Sequence, residues 1–237
     1  DFIIHSTNDI LKEEFGKDFN DKNVNILDPF TGTGTFITRL LSSGLIDLEK
    51  LPEKYKNNIH ANEIVLLAYY IASINIESQY YDLQKNKIYE PFNGMVLTDT
   101  FQLYEQEKDM IADLLPDNSN RRTRQKEHPI NVVISNPPYS IGQKSANDIS
   151  ANIEYKNLDQ LIGATYVKSS KSTSNRSTYD NYIRAFRWAT DRIGDEGVVG
   201  FVTNGSWIQN ASSDGFREHL TNDFNKIYVF NLRGNQR

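Results

Sequence analysis

The chain contains no cysteine, which excludes disulfide scaffolds and thiolate metal centres together. Its four histidines, His5, His60, His128 and His219, are scattered without ligand spacing for zinc, so no metal site is expected. A reducing compartment such as the cytoplasm fits such a chain. No apolar run approaches the roughly 20 residues needed to span a bilayer, and no signal peptide is recognised, so no membrane association is expected. A basic excess is lacking too. Lys and Arg number 26 against 31 Asp and Glu, a formal net charge of -5, which argues against a polycationic nucleic-acid binder. Local basic patches still act within a Debye length of about 10 Å. Internal repeats and sustained heptads are also missing.

What is present is an ordinary globular composition over 237 residues, 38% hydrophobic and 24% charged, enough to bury a sizeable core. Apolar strand candidates fall at Val24 to Leu27, Ile59 to Asn62, Met95 to Thr98, Val132 to Ser135, Val198 to Thr203 and Ile227 to Asn231. Helix-period stretches lie between them: Ile64, Leu67, Ala68, Ile71 and Ile74; Tyr182, Phe186, Ala189 and Ile193; and a start at Phe36, Leu40 and Leu41 after Gly34. Ser6 to Phe15 reads as a helix stopped by Gly16. The alternation predicts an α/β fold with a mainly parallel sheet covered on both faces. Two polar stretches interrupt it. Ser140 to Tyr179 reads as a long loop that is a lid, a binding loop or disordered, and Asp117 to His128, with Arg121, Arg122, Arg124 and Lys126, as a solvated basic loop. The start at Asp1-Phe2-Ile3-Ile4 and the end at Arg237 after a strand-like run read as a fragment.

Asp28-Pro29-Phe30-Thr31-Gly32-Thr33-Gly34 follows the first strand and opens a helix, where open α/β sheets place ligands. It is not the dinucleotide fingerprint, because Ile37 stands where the third glycine belongs, and no Gly-Lys-Ser/Thr marks a P-loop. Phosphate is therefore not the expected ligand. Asp28 would repel a pyrophosphate and suits a cationic or hydroxyl-bearing group; the alternative is a plain tight turn. Glu63 and Asp99 end the next two strand candidates on the same sheet edge. A carboxylate after the second strand is placed to accept both hydroxyl protons of a ribose, and Asp99 to accept from an adenine amine. Either acid can instead cap a helix.

Asn136-Pro137-Pro138-Tyr139 ends the fourth strand in a rigid turn, since proline cannot continue a ladder. Such a turn suits methylation of a conjugated exocyclic amine. Acceptance of the amine protons by the Asn136 side-chain oxygen and the Pro137 carbonyl would pull the nitrogen toward tetrahedral geometry and stabilise the charge that develops on transfer. Tyr139 would stack on a flipped base. A surface β-turn is the bland alternative.

The glycine-rich turn followed by Asn136-Pro137-Pro138-Tyr139 resembles the amino-group DNA methyltransferases that use S-adenosylmethionine, in the gamma arrangement typical of adenine-N6 enzymes. The resemblance extends to Asp1 to Ile4, to Tyr179 through Ala189, to Gly200 to Trp207 and to Tyr228 to Asn235, and is similar in texture to the methyltransferase domains of Type ISP and Type I-like restriction-modification enzymes. It implies a Rossmann-like methyltransferase fold whose sheet is incomplete at the C-terminus, with residues 1–237 as the catalytic domain. It also implies a nuclease and translocase before it in the parent polypeptide and a target-recognition domain after it. Asp28, Thr31, Gly32 and Gly34, with Pro29, Phe30 and Thr33, would line the cofactor's methionine portion. Glu63 and Ile64 would take the ribose, Asp99 with Thr100 and Phe101 the adenine, and Asn136, Pro137, Pro138 and Tyr139 the target base.

The same tetrapeptide occurs in enzymes that methylate a protein glutamine or a guanine amine of ribosomal RNA, and a catalytically silent binding module is a further alternative. Lys144, Lys156, Lys168, Lys171 and Arg176 in the long polar loop favour double-stranded DNA, bound weakly by this chain. Other domains of the same polypeptide are expected partners.

Overall fold

The computed structural model describes residues 1–105, 115–139 and 155–232. Two compact units divide the chain, one of residues 1–138 and 188–202, the other of residues 139–187 and 203–237.

The first unit carries, in chain order, α1 (Phe2–Phe15), β1 (Ile26–Asp28), α2 (Thr35–Ser42), α3 (Leu51–Asn57), β2 (Ile59–Glu63), α4 (Leu66–Leu83), β3 (Met95–Leu97), α5 (Pro116–Glu127), β4 (Val132–Ser135) and β5 (Val198–Phe201). The five strands form one parallel sheet in the order β3-β2-β1-β4-β5. Ile26 sits opposite Ile59 on one side and Val132 on the other. Every residue of β1, β2 and β4 is buried, as strands of a sheet covered on both faces must be. The helices begin and end on local chemistry. Gly16 closes α1 at φ 62°, its N–H reaching the Leu11 and Lys12 carbonyls, and Pro52 and Pro116 occupy first-turn positions where a missing N–H loses no bond. Ile4, Leu11, Ile37, Leu40, Leu41 and Ile76 fill the core, where the Tyr55 and Tyr80 rings stack at 3.7 Å. Lys54 is buried among them. Its ammonium donates to the Asp21 and Val24 carbonyls at 2.9 and 2.6 Å, and burial pushes its pKa down to about 8.

The second unit is helical among its described residues: α6 (Lys156–Ile162) widening into a π-helical turn (Gly163–Val167), α7 (Asn181–Ile193) up to Arg187, α8 (Ser206–Gln209) and α9 (Asp214–Asp223). Tyr166, Phe186 and Trp207 gather round the buried Phe216 at centroid distances of 5.1, 5.2 and 5.7 Å. Arg184 forks onto the two Asp159 oxygens at 2.7 and 2.9 Å, which fixes α6 against α7.

Four expectations need correction. Residues 227–231 form no strand. Alternating apolar side chains suit a strand, but a strand also needs a neighbour to bond, and this segment joins no ladder among the described residues. Asp117 to His128 is helical through Glu127 rather than a loop. Its helix is anchored by Asn118, which pairs with the backbone of Leu97 through both its oxygen and its nitrogen, at 2.8 and 3.0 Å. Ser140 to Tyr179 contains α6, the wide turn and a 3₁₀ turn at Arg176–Tyr179, while residues 140–154, Lys144 included, lie outside the described residues. The α4 stripe is inverted: Leu67, Ile71 and Ile74 face water, while Ala72, Ile76 and Tyr80 are buried.

Candidate active site

Parallel pairing brings the chemically marked residues to one edge. Asp28 is the last residue of β1, Glu63 of β2, Asp99 lies two residues past β3, and Asn136 directly follows β4. All four therefore sit at the carboxyl edge of neighbouring strands, with the reversal of strand order between β1 and β4.

Hydrogen bonds tie the turn after β1 to the strands beside it. The Thr31 hydroxyl donates to the Asp28 carbonyl at 2.9 Å, its N–H to the Asn62 carbonyl at 3.0 Å, and the Gly34 N–H to the Thr31 carbonyl at 3.0 Å. Glu63 is engaged at both oxygens, accepting from the Gly32 N–H at 2.8 Å and from the Val65 N–H at 2.7 Å. Its carboxylate thus serves the chain locally and still carries lone pairs for further donors. Asp99 accepts from the Phe101 N–H at 2.9 Å. The Thr100 hydroxyl donates to the Pro29 carbonyl at 2.5 Å and accepts from the Asn62 amide at 3.3 Å. Phe30 and Phe101 meet at 5.3 Å, and Thr33 takes a bond from Asn75 of α4 at 2.9 Å. Ile64 is exposed beside Glu63.

Two glycines in this turn have left-handed backbones, Gly32 at φ 56° and Gly34 at φ 89°. A Cβ on Gly34 would stand 3.2 Å from Ile76 and 3.3 Å from the Ala72 backbone, whereas one on Gly32 would meet nothing within 4 Å. Gly34 thus serves the approach of α2 to α4, and Gly32 leaves open space where a ligand can reach the backbone.

Asp28 is almost wholly buried. One oxygen accepts from the Ser135 hydroxyl at 2.5 Å and from the Phe30 N–H at 3.2 Å, while the other has no protein partner. Burial pushes its pKa up to about 7, against those two hydrogen bonds and with a small further push from Glu63. A small cavity beside it is lined by Ile4, Ile26, Phe36, Ile37, Leu40 and Ile134.

In the tetrapeptide, Asn136 is exposed, Pro137 buried and Pro138 partly buried, and the division between the units falls before Tyr139. Within the second unit, the Tyr139 ring lies 5.8 Å from that of Tyr182, and burial raises the pKa of both phenols. Ser135, Asn62 and Asn75 were not singled out from sequence. The available signal was a polar residue in an otherwise apolar strand for the first two; Asn75 carried none.

His60 and His128, far apart in sequence, meet at 5.4 Å. Burial depresses the His60 pKa to about 3, and no group of three or more candidate metal ligands occurs among the described residues. No described helix is long and apolar enough to cross a membrane.

The profile of the Eco57I restriction-modification methylase family matches residues 50–236. Comparison with curated proteins finds no match. Among solved structures, a nuclease-deletion mutant of the Type ISP restriction-modification enzyme LlaGI, in complex with a DNA substrate mimic, is 49% identical over 94% of this chain with a TM-score of 0.88. The ATP-dependent Type ISP enzyme LlaBIII, bound to DNA, is 45% identical over 92% with a TM-score of 0.86. A DrdV–DNA complex is 43% identical over 94% with a TM-score of 0.86. The chain spans only 19%, 15% and 21% of those three chains.

Proposed function

The chain belongs to the Eco57I restriction-modification methylase family, and from that premise we propose that it is the catalytic methyltransferase domain of a restriction-modification enzyme. In this reading it transfers a methyl group from S-adenosylmethionine to the N6 amine of a flipped adenine in double-stranded DNA, in the cytoplasm. The observation that carries the reading is the convergence of Asp28, Glu63, Asp99 and Asn136 on one edge of the parallel sheet.

The donor set fits such a cofactor. A buried Asp28 oxygen without a protein partner is matched to a cationic ammonium. Glu63 retains lone pairs for ribose hydroxyls, Asp99 is matched to an adenine amine, and the exposed Ile64 offers apolar surface beside them, with Phe101 buried behind against Phe30. Pro29, Phe30, Thr31, Gly32, Thr33, Gly34 and Thr100 complete the lining. The bound cofactor supplies an electrophilic methyl group on sulfonium. Everything else falls to the chain.

The Asn136 side-chain oxygen accepts a hydrogen bond from one amine N–H and the Pro137 carbonyl from the other, which turns the nitrogen lone pair out of conjugation without removing a proton before the transfer. Pro138 stiffens the turn, so alignment is set before the reaction. Tyr139 stacks on the extruded base, a contact worth about 1–3 kcal/mol. Lys156, Lys168, Lys171 and Arg176 of the second unit supply charge toward the DNA backbone, so binding by this chain is weak and falls steeply with salt.

Calorimetry with S-adenosylmethionine, using the native chain beside Asp99→Ala, tests the first half: heat from the native chain and much weaker binding by the variant are expected, and no heat from either identifies a silent module. A digest of DNA treated with the polypeptide that carries this domain tests the second. N6-methyladenine is expected; N4-methylcytosine alone would change the base, and methylation only of ribosomal RNA or of a protein glutamine would change the substrate.

A further inference from the structure

The outward face of α4 is apolar where a solvated helix is polar. Leu67 is 70% exposed, Tyr70 55% and Ile74 65%, with Ile71 and Tyr81 partly exposed beside them. The opposite face of the same helix is already satisfied, Ala72, Ile76 and Tyr80 being buried and Asn75 bonded to Thr33. Contiguous apolar surface of this kind on one helix marks an interface rather than the scatter of single exposed side chains that any protein shows.

The spacing tells what shape lies on it. Leu67, Ile71, Ile74, Ser78 and Tyr81 alternate steps of four and three residues, a mean of about 3.5 that keeps a seam straight along a partner helix. Ser78 is the one polar member, small enough to sit beneath a larger side chain of the partner. With 18 residues, the helix offers a seam of roughly 27 Å. Its charge narrows the occupant. Across Leu66–Leu83 the only acidic or basic side chains are Glu77, which already accepts from the Tyr89 hydroxyl and the Phe92 N–H, and Asp82, which has the Lys87 ammonium 3.7 Å away; the helix itself carries no Lys or Arg. An anionic lipid surface would be repelled, since helices that lie on membranes flank their apolar face with basic residues. The source is suggested by length. The three solved relatives match over 92–94% of this chain, yet it accounts for only 15–21% of theirs. Most of each of those chains therefore lies beyond the shared domain.

We propose that the Leu67–Tyr81 face of α4 is the docking site for an amphipathic helix, apolar at its seam, supplied by the same polypeptide outside residues 1–237. This helix would hold the methyltransferase domain against its neighbour. The inference does not depend on the cofactor or on the target base.

The absence of cysteine from these 237 residues makes the test direct. Leu67→Cys and Ile74→Cys are made separately, with Leu48→Cys, exposed elsewhere in the first unit, as control. Maleimide labelling is followed by mass spectrometry of the corresponding peptides, in residues 1–237 alone and in the longer polypeptide that carries them. The α4 thiols are expected to react readily in the short form and at least roughly tenfold more slowly in the long one, with the control unchanged. Ile74→Asp adds a stability readout: it should leave the melting temperature of residues 1–237 nearly unaltered, because that side chain is already 65% exposed, and lower that of the longer polypeptide. Equal labelling in both forms overturns the proposal. So does a dimer of the short form in which Ile74→Cys cross-links to its own copy, or a gene that encodes these 237 residues alone.

Discussion

The Ser135 hydroxyl donates to the buried carboxyl of Asp28 at 2.5 Å, and this bond joins the last residue of β4 to the last residue of β1 at the reversal in strand order. The turn proposed to hold the cofactor begins at the next residue of one strand, and the turn proposed to hold the target amine at the next residue of the other. Loss of the donor is therefore felt in both. Ser135→Ala removes the shorter of two bonds to this buried oxygen and leaves the Phe30 N–H, so a destabilisation of about 0.5–1.5 kcal/mol is expected. A lower urea midpoint at unchanged m-value reads this out. An unmoved midpoint would show that the bond contributes nothing.

The same carboxyl makes stability depend on pH with an uncommon sign. Asp28 ordinarily titrates near 3.8, and burial raises it to about 7 in the fold. The folded state thus holds a proton that the unfolded chain has released. The stabilising contribution is complete below pH 3.8, declines as pH rises, and is lost once pH passes about 7. Across that window the decline is on the order of 4 kcal/mol, at about 1.4 kcal/mol for each pH unit. Asp28→Asn has nothing to titrate, so its curve of urea midpoint against pH from 5 to 8 should lose the downward slope that the native chain shows there. Parallel curves would show that Asp28 is ionised throughout.

A cation placed against the unpartnered Asp28 oxygen would favour the charged form. Cofactor binding near neutral pH should then expel part of a proton, about half of one at pH 7. Binding enthalpies measured in phosphate and in Tris, which differ in ionisation enthalpy, should diverge accordingly for the native chain and agree for Asp28→Asn. Agreement for both would place the cofactor's ammonium elsewhere.

Gly32 and Gly34 separate two jobs within one turn. Alanine at Gly34 meets both a left-handed backbone, which costs roughly 1–2 kcal/mol, and the flank of α4 at 3.2–3.3 Å, which adds overpacking of about 1–3 kcal/mol. Alanine at Gly32 meets the backbone penalty alone. Gly34→Ala should therefore unfold at clearly lower urea, while Gly32→Ala stays closer to native stability and loses cofactor affinity in calorimetry. The reverse order would mean that Gly32 is the packing glycine.

Much of the sheet edge that carries the candidate site is legible in the sequence, because strand ends announce themselves. Apolar runs that end in Asp28, Glu63 or Asn136 name both the strand and the side chain that leaves it, and the structure places those strands side by side in parallel. Where the reading failed, the missing information was long-range. The α4 stripe of Leu67, Ile71 and Ile74 has the right period for a helix, but period alone does not say which apolar face meets this sheet, and the smaller face of Ala72, Ile76 and Tyr80 allows the closer approach to Gly34. Residues 117–128 show no apolar period, because their helix is held by polar pairing of Asn118 to β3. Ser135 looked like a strand ending, since only the fold reveals Asp28 across from it.

Asn136 gives the sharpest test of the chemistry, because its effect on transfer can be separated from any effect on folding. Its side chain is exposed, while Ser135 before it and Pro137 after it are buried, so replacing it opens no cavity in the core. Asn136→Ala should therefore unfold within about 0.5 kcal/mol of the native protein, as exposed substitutions usually do. Cofactor affinity should be nearly unchanged, since the residues proposed to hold the cofactor lie on β1, β2 and β3 and the turns that follow them. Transfer should be abolished, with a loss of at least about 100-fold in kcat, the scale seen when one preorganised hydrogen-bonding group is removed from a reacting centre. The assay is methyl incorporation from labelled S-adenosylmethionine into duplex DNA, run on the polypeptide that carries this domain. A variant that binds cofactor and transfers at the native rate removes Asn136 from the reaction. One that loses cofactor binding in step with turnover moves it from the target amine to the cofactor.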